Sequence, residues 1–308
     1  MSSQVIRIAT RASPLALTQA RIVAEALRRR HGLAERDLEL VRITTSGDAA
    51  RHRRLSEIGG KGLFTKEIEE ALVSGDADLA VHSMKDMETR LPDGLAVAAL
   101  AEREDPRDVL VSVTGARTLA ALPAGAVLGT SSLRRAALVR SLRPDIAIVP
   151  LRGNVETRLG KVAKGGIDAT LLARAGLNRL GLEPANASPL DIDEVLPAVA
   201  QGAIGIEIRA DDRRVRELVE PLDHRATRLA VTAERALLAT LDGSCTTPIA
   251  ALATLDDGAI RLRALIARPD GSTVHRVDIC GPESDAAALG RSAGAQLLAR
   301  ACPGFFDM

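Results

Sequence analysis

The sequence predicts an α/β protein of two α/β domains followed by a smaller α+β domain with a three-stranded antiparallel sheet. Three observations predict it. Apolar strand-like runs alternate with capped helical stretches up to residue 100. The same order restarts after "EREDPRD" (102–108). From His224 the texture changes to one long helix, three alternating strands and a last helix.

"VIRIAT" (5–10) reads as a strand. Ser13 then Pro14 reads as an N-cap and a first-turn proline. The helix they open runs to Gly32, with Ile22, Val23, Ala26 and Leu27 on its inner face. "LELVRITT" (38–45) is a strand. "FTKEIEEALVSG" (64–75) is a helix with Thr65 as cap, Ile68, Ala71 and Leu72 inward, and Gly75 at its end. "DLAVHS" (78–83) and "LAVAAL" (95–100) are strands. In the second block "AVLGT", "IAIVP" and "DATLLA" are strands. The helices between and after them are "SSLRRAALVRSL", capped by Ser131 or Ser132, "NVETRLGKVAKGG" and the short "RAGLNRLGL". Such alternation argues for parallel sheets covered on both faces. "GAIGIEIR" (202–209) is a strand too late to continue the second block, and is expected to return to the first sheet. Beyond the helix 225–241, "IAALATL", "IRLRALIA" and "TVHRVDI" are strands joined by turns at Asp256–Asp257–Gly258 and Pro269–Asp270–Gly271. A final helix covers about 285–301.

Composition narrows the function. The chain has 308 residues and a net charge of +1, which gives no general attraction to nucleic acid or membrane. It has no Trp, no Tyr and three Phe, so stacking platforms for single-stranded nucleic acid are missing. Cys245, Cys280 and Cys302 form no CxxC and are too few for a disulfide framework, and no metal site is expected. No apolar run reaches the roughly 20 residues of a membrane span, and "MSSQVIRIATR" lacks a signal-peptide core. A cytoplasmic protein with reduced thiols is the expectation.

The balanced total hides a local excess. From Thr130 to Leu180 ten basic residues face three acidic ones, and eight of the ten are Arg. The planar Arg fork suits carboxylate or phosphate. Arg134 and Arg135 follow "GTSS" at a helix start, Arg152 follows a strand, and Arg11 and Ser13 repeat this in the first block. Ligands of open α/β sheets bind beyond the carboxyl ends of the strands, where helix N-termini attract anions. These residues are therefore expected to take a ligand with several negative groups.

Three further stretches stand out. "IGGKGLF" (58–64) sets Lys61 among glycines. It lacks the P-loop pattern, with Leu55 and Gly62 where Gly and Ser or Thr are needed, and reads as a loop at the site or a plain turn. "VHSMKDM" (81–87) ends a buried strand, and alternation sends Ser83 and Lys85 one way, His82 and Asp86 the other. Alone, Asp86 reads as a cap or ion-pair partner. Among cations it is the group able to protonate a leaving group and stabilise a cation. In "LDGSCTTP" (241–248) Cys245 sits on a turn without apolar neighbours, open to roles as nucleophile, ligand, disulfide partner or attachment point.

"RIATRASPLALTQA", "GGKGLFTKEIEEAL", "DLAVHSMKDM", "EREDPRDVLVS", "GTSSLRRAAL", "LRGNVETRL", "AGLNRLGL", "AQGAIGIEIR" and "LDGSCTTPIAA" together resemble the porphobilinogen deaminase (hydroxymethylbilane synthase) family, in family order over nearly the whole chain. The resemblance implies a monomeric transferase of tetrapyrrole (heme) biosynthesis. Its activity would string four porphobilinogen units on a dipyrromethane primer held by a thioether to Cys245, losing ammonia and releasing the tetrapyrrole with water. It implies Asp86 as the catalytic aspartate. Lys85, Ser83, Thr130, Ser132, Arg134, Arg135, Arg152 and Arg158 would bind the cofactor; Arg11, Ser13, Arg179, Lys61, Phe64 and Gln201 would bind substrate. It implies two domains like those of periplasmic binding proteins and a third: 1–101 with 202–221, 102–201, and 222–308. Two departures stand out: Glu57 where some members have Lys, and Met87–Glu88–Thr89 where Val–Pro is expected. A non-catalytic anion-binding module would also explain the arginines, but neither Asp86 among them nor Cys245.

Overall fold

The computed structural model describes residues 5–49, 62–243 and 247–307. The chain divides into two compact units, Met1–Glu104 with Ala203–Arg228, and Asp105–Gly202 with Leu229–Met308.

Unit one begins with β1 (Ile6–Arg11) and α1 (Pro14–His31). Local chemistry fixes this helix. Ser13 Oγ accepts from the Ala16 N–H, Pro14 fills the first turn, and Gly32 takes the left-handed conformation (φ 66°) that ends it. The buried stripe is Ala16, Ala20, Val23 and Leu27, spaced for one helix face. Ile22 lies off that stripe and is 42% exposed, contrary to the sequence expectation. Then come β2 (Leu38–Ile43), a single turn α2 (Ser46–Ala49), α3 (Lys66–Ser74), β3 (Leu79–Ser83) and β4 (Leu95–Leu100). Thr65 stands at the N-cap position of α3, but its hydroxyl makes no capping bond.

The returning strand β10 (Ile204–Arg209) enters this sheet, in the order β2-β1-β3-β10-β4. It runs antiparallel to β3 and β4, so the sheet is mixed rather than parallel. Apolar periodicity identifies a strand but not its direction, and no crossover helix joins β10 to its neighbours to force parallel pairing. One sheet face (Ile8, Leu79, Val81, Ile204, Ile206, Ile208) packs with Ala20, Val23 and Leu27 of α1. The other (Ala9, Ala80) packs with Ile68 and Leu72 of α3.

Unit two repeats the plan. Its sheet runs β7-β6-β8-β5-β9, from β5 (Asp108–Ser112), β6 (Val127–Gly129), β7 (Ala147–Val149), β8 (Ala169–Ala173) and β9 (Ala187–Pro189). Here β5 is the antiparallel member next to the edge. Strands β5 and β9, and the helix Arg213–Val219 after β10, add to the elements expected from sequence. Helices α4 (Leu133–Leu142), α5 (Val155–Ala163) and α6 (Arg174–Arg179) follow β6, β7 and β8. Ser132, not Ser131, caps α4.

With the helix Arg213–Val219 as α7, α8 spans Arg225–Thr240 and α9 Ala286–Arg300. Between them β11 (Ile249–Asp256), β12 (Ala259–Ala267) and β13 (Val274–Pro282) form the expected antiparallel sheet. Asp257 (φ 43°) and Gly258 (φ 78°) make the first hairpin turn with both central residues left-handed. Ala250, Leu252 and Leu265 of this sheet share a core with Leu110, Leu128, Leu138 and Leu171.

Candidate functional site

In unit one the predicted residues meet at the carboxyl ends of β1 and β3. Arg11, Ser13, Phe64, Ser83 and Asp86 line one pocket with Leu15, Ala16, Gln19, Thr65, Val81 and His82. The starts of α1 and α3 both border it, and helix N-termini favour anionic groups. The Arg11 guanidinium carbon stands 4.3 Å from the centre of the Phe64 ring, a cation–π contact. Gln19 Nε2 donates to Ser83 Oγ at 3.1 Å, fixing the strand end to α1.

The alternation expected through Asp86 stops at Ser83, because Met84–Asp86 form a 3₁₀ turn. Ser83 therefore faces α1 and His82 faces α3, while the turn sets Lys85 and Asp86, both half-buried. The backbone needs Gly205 beside this turn: a Cβ there would overlap Met84 Sδ. The sequence assigns His82 no role and Thr65 only that of a helix cap, and nothing in it points to Gln19 or to the pocket's apolar wall. The signal for His82 was a lone imidazole at the end of an apolar strand. Its answering group is Glu207, fully buried in the apolar strand β10, with Nε2 and Oε2 3.0 Å apart.

In unit two a second group gathers at the equivalent sheet edge. Thr130 Oγ1 accepts from the Ser132 N–H, and Ser132 caps α4. Arg134 and Arg135 are almost fully buried, where the sequence reading had them open to ligand carboxylates. Both grip Asp108 on β5. Oδ2 accepts from Arg134 Nη2 (2.7 Å) and Arg135 Nε (3.2 Å), and Oδ1 from Arg135 Nη2 (2.8 Å) and Gln201 Nε2 (2.8 Å). Arg134 also donates to the Leu196 carbonyl, and Arg135 to that of Leu171. Burial pushes the Asp108 carboxyl up, but the two guanidiniums outweigh it and hold it well below the usual carboxylate range.

Gln201 is buried within this cluster, and its Nε2 donates to the Pro106 carbonyl as well. The residue before it, Ala200, is left-handed (φ 57°), and Glu234 Oε2 accepts its N–H. Arg152 follows β7, and Arg158 on α5 donates to the Gly153 carbonyl. Arg179, at the end of α6, donates to the Gly202 carbonyl at 2.7 Å. Two guanidiniums against one carboxylate leave the cluster net positive. With the capped start of α4 and the arginines along the same edge, this donor set fits a ligand with several carboxylates. Lys61 and Cys245 lie outside the described residues.

A family model described as "Porphobilinogen deaminase, dipyromethane cofactor binding domain" matches residues 6–217. A second, "Porphobilinogen deaminase, C-terminal domain", matches residues 228–299. The chain is 51% identical over 302 residues to the porphobilinogen deaminase of Paracoccus denitrificans, covering 98% of this chain and 96% of that one. Among solved structures, the periplasmic VFT2 domain of Bordetella pertussis BvgS aligns at 15% identity and TM-score 0.40, covering 70% of this chain and 85% of that one. A YaeC-family lipoprotein from Enterococcus faecalis aligns at 12% identity and TM-score 0.43, covering 72% and 92%.

Proposed function

Because the chain belongs to the porphobilinogen deaminase family, we propose that Cys245 tethers its dipyrromethane primer and that Asp86 drives the condensation carried out on it. The enzyme joins four porphobilinogen molecules head to tail with loss of ammonia, then releases hydroxymethylbilane by hydrolysis. The bound dipyrromethane would supply the free ring carbon that the first unit joins, and each later unit joins the ring added before it.

The observation that carries the assignment is the pocket of unit one, whose lining joins Asp86 to Arg11, Ser13 and two helix starts. Porphobilinogen brings two carboxylates and an aminomethyl ammonium. Arg11 and Ser13, with the start of α1, hold a carboxylate, and the ammonium is drawn to Asp86. As ammonia leaves, the substrate becomes a cation beside the Asp86 carboxylate, which stabilises it. Asp86 then accepts the proton released at the newly joined ring carbon and gives it up to the departing ammonia or to solvent, which restores the carboxylate for the next unit. In this reading Lys85, Ser83, Thr130, Ser132, Arg152 and Arg158 hold the primer carboxylates, and the buried Arg134 and Arg135, tied to Asp108, supply positive charge beneath them. Arg179, Phe64 and Lys61 complete the substrate contacts, and Gln201 acts from behind them by holding Asp108.

The same reading takes 1–101 with 202–221, 102–201 and 222–308 as three domains of a cytoplasmic monomer that binds no nucleic acid. The net charge of +1 and the lack of Trp and Tyr support the last point. Among the described residues no helix is long and apolar enough to cross a membrane.

The test is the intact mass of the purified protein and of Cys245→Ala. An excess of two linked pyrrole units, lost in the variant, is expected. A wild-type chain that carries no excess and gains none on incubation with porphobilinogen would refute the tether.

A further inference from the structure

Asp86 is the one carboxylate among the described residues that line the pocket of unit one, yet two more stand just behind its wall. Glu207 projects from β10 and is fully buried, with no aligned hydrogen-bond donor on either oxygen. Glu69, on α3, is half-buried; burial raises its pKa, the Thr65 hydroxyl opposes that shift, and nearby Glu207 adds to it. Two lining residues separate these carboxyls from the pocket. His82 lines the pocket and touches Glu207, Nε2 to Oε2 at 3.0 Å. Thr65 lines the pocket beside Glu69.

The register explains the arrangement. His82 is opposite Gly205, and Ala80 is opposite Glu207, so all four side-chain positions share the face covered by α3. Gly205 has no side chain and Met84 packs over it, while the His82 ring reaches along the strand to Glu207. A buried carboxylate this short of donors is costly, and its imidazole neighbour is the group that offsets the cost.

We propose that His82 is a positioning residue that covers the Glu207 carboxylate, so that the ammonium of the incoming substrate and the cation formed from it meet Asp86 alone. Uncovered, Glu207 would offer a rival anion in the floor. The ammonium would settle there, and its methylene carbon would lie away from the ring carbon it must join. The proposal rests on Asp86 being the catalyst, which Asp86→Asn tests by itself.

The experiment compares single-turnover kcat and KM, per cofactor-loaded enzyme, for His82→Leu, His82→Gln and the double variant His82→Leu/Glu207→Leu. His82→Leu uncovers the carboxylate and should lower kcat roughly 10- to 100-fold while KM stays near wild type, because misplacement rather than lost affinity is the fault. His82→Gln still covers Glu207 and offers one N–H, and should be the faster of the two. The double variant replaces the pair by apolar groups, an exchange that proteins commonly tolerate, and should recover most of the loss. A double variant as slow as His82→Leu overturns the proposal, as does a His82→Leu enzyme with wild-type kcat. If His82→Leu does not fold, the double variant decides: kcat near wild type supports the covering role, and a loss as deep as that of Asp86→Asn overturns it.

Discussion

The Asp108 cluster gives the most quantitative prediction. Asp108→Asn keeps the side chain's shape and removes its charge. The wild-type carboxylate is fully buried and accepts four hydrogen bonds, from two guanidiniums and one amide. In the variant one terminal atom becomes a donor and faces other donors. Arg134 and Arg135, 4% and 6% exposed, are left as two buried like charges with no anion between them. Breaking a buried ion pair from one side costs about 3–5 kcal/mol. With an m-value near 3 kcal/mol/M, the urea midpoint should fall by about 1–1.7 M at pH 7. The control is Asp105→Asn, whose partner Arg107 is 42% exposed, and there a loss under about 1 kcal/mol is expected. Urea titration followed by circular dichroism reads both. A midpoint for Asp108→Asn within about 0.3 M of wild type, at unchanged slope, would refute the view that this carboxylate holds the cluster together.

The same group sets a pH dependence. Its folded-state pKa is depressed, so its stabilisation is complete above the unfolded value of about 3.9 and fades as pH falls below it. The gap between wild type and Asp108→Asn in urea should therefore narrow below about pH 4, and a gap that stays constant from pH 7 to 3 contradicts the assignment. Asp86→Asn should lower kcat by about 10²–10⁴-fold in a rapid-quench assay, with the cofactor mass retained; wild-type turnover would remove Asp86 from the mechanism. Gly205→Ala should cost about 1–3 kcal/mol in thermal unfolding, because its methyl group meets Met84 in the turn that carries Asp86. An unchanged Tm would mean that the turn yields freely.

Local chemistry was legible in the sequence. Ser13, Pro14 and Gly32 frame α1 by interactions within a few residues. The pocket residues Arg11, Ser13, Ser83 and Asp86 could be seen at strand ends because strand ends are where short apolar runs stop. What could not be seen depends on partners far along the chain. Counting charges from 130 to 180 shows Arg134 and Arg135 in excess, but their anion is Asp108, more than twenty residues upstream. Val23 and Leu27 are buried as expected, but Ile22 is not, because the expected stripe extends to one side of the buried one and only the sheet beneath decides which arc of a helix is buried. The direction of β10 and the pairing of His82 with Glu207 are consequences of that strand's return, which periodicity does not record. The one hint was a glutamate set among isoleucines in "GIEIR".

That return has a bearing on how the chain is made. β10 lies between β3 and β4, yet roughly a hundred residues separate it in sequence from the end of β4 at Leu100. On a ribosome adding about 5–20 residues per second, the first sheet stays open between β3 and β4 for roughly 5–20 s. The sheet of unit two needs nothing beyond Pro189, so its five strands have all been synthesised before the first sheet's last member exists. Of these two sheets, the one begun first is completed second. Its unpaired strand edges, a template for wrong pairing, pass that interval on the nascent chain.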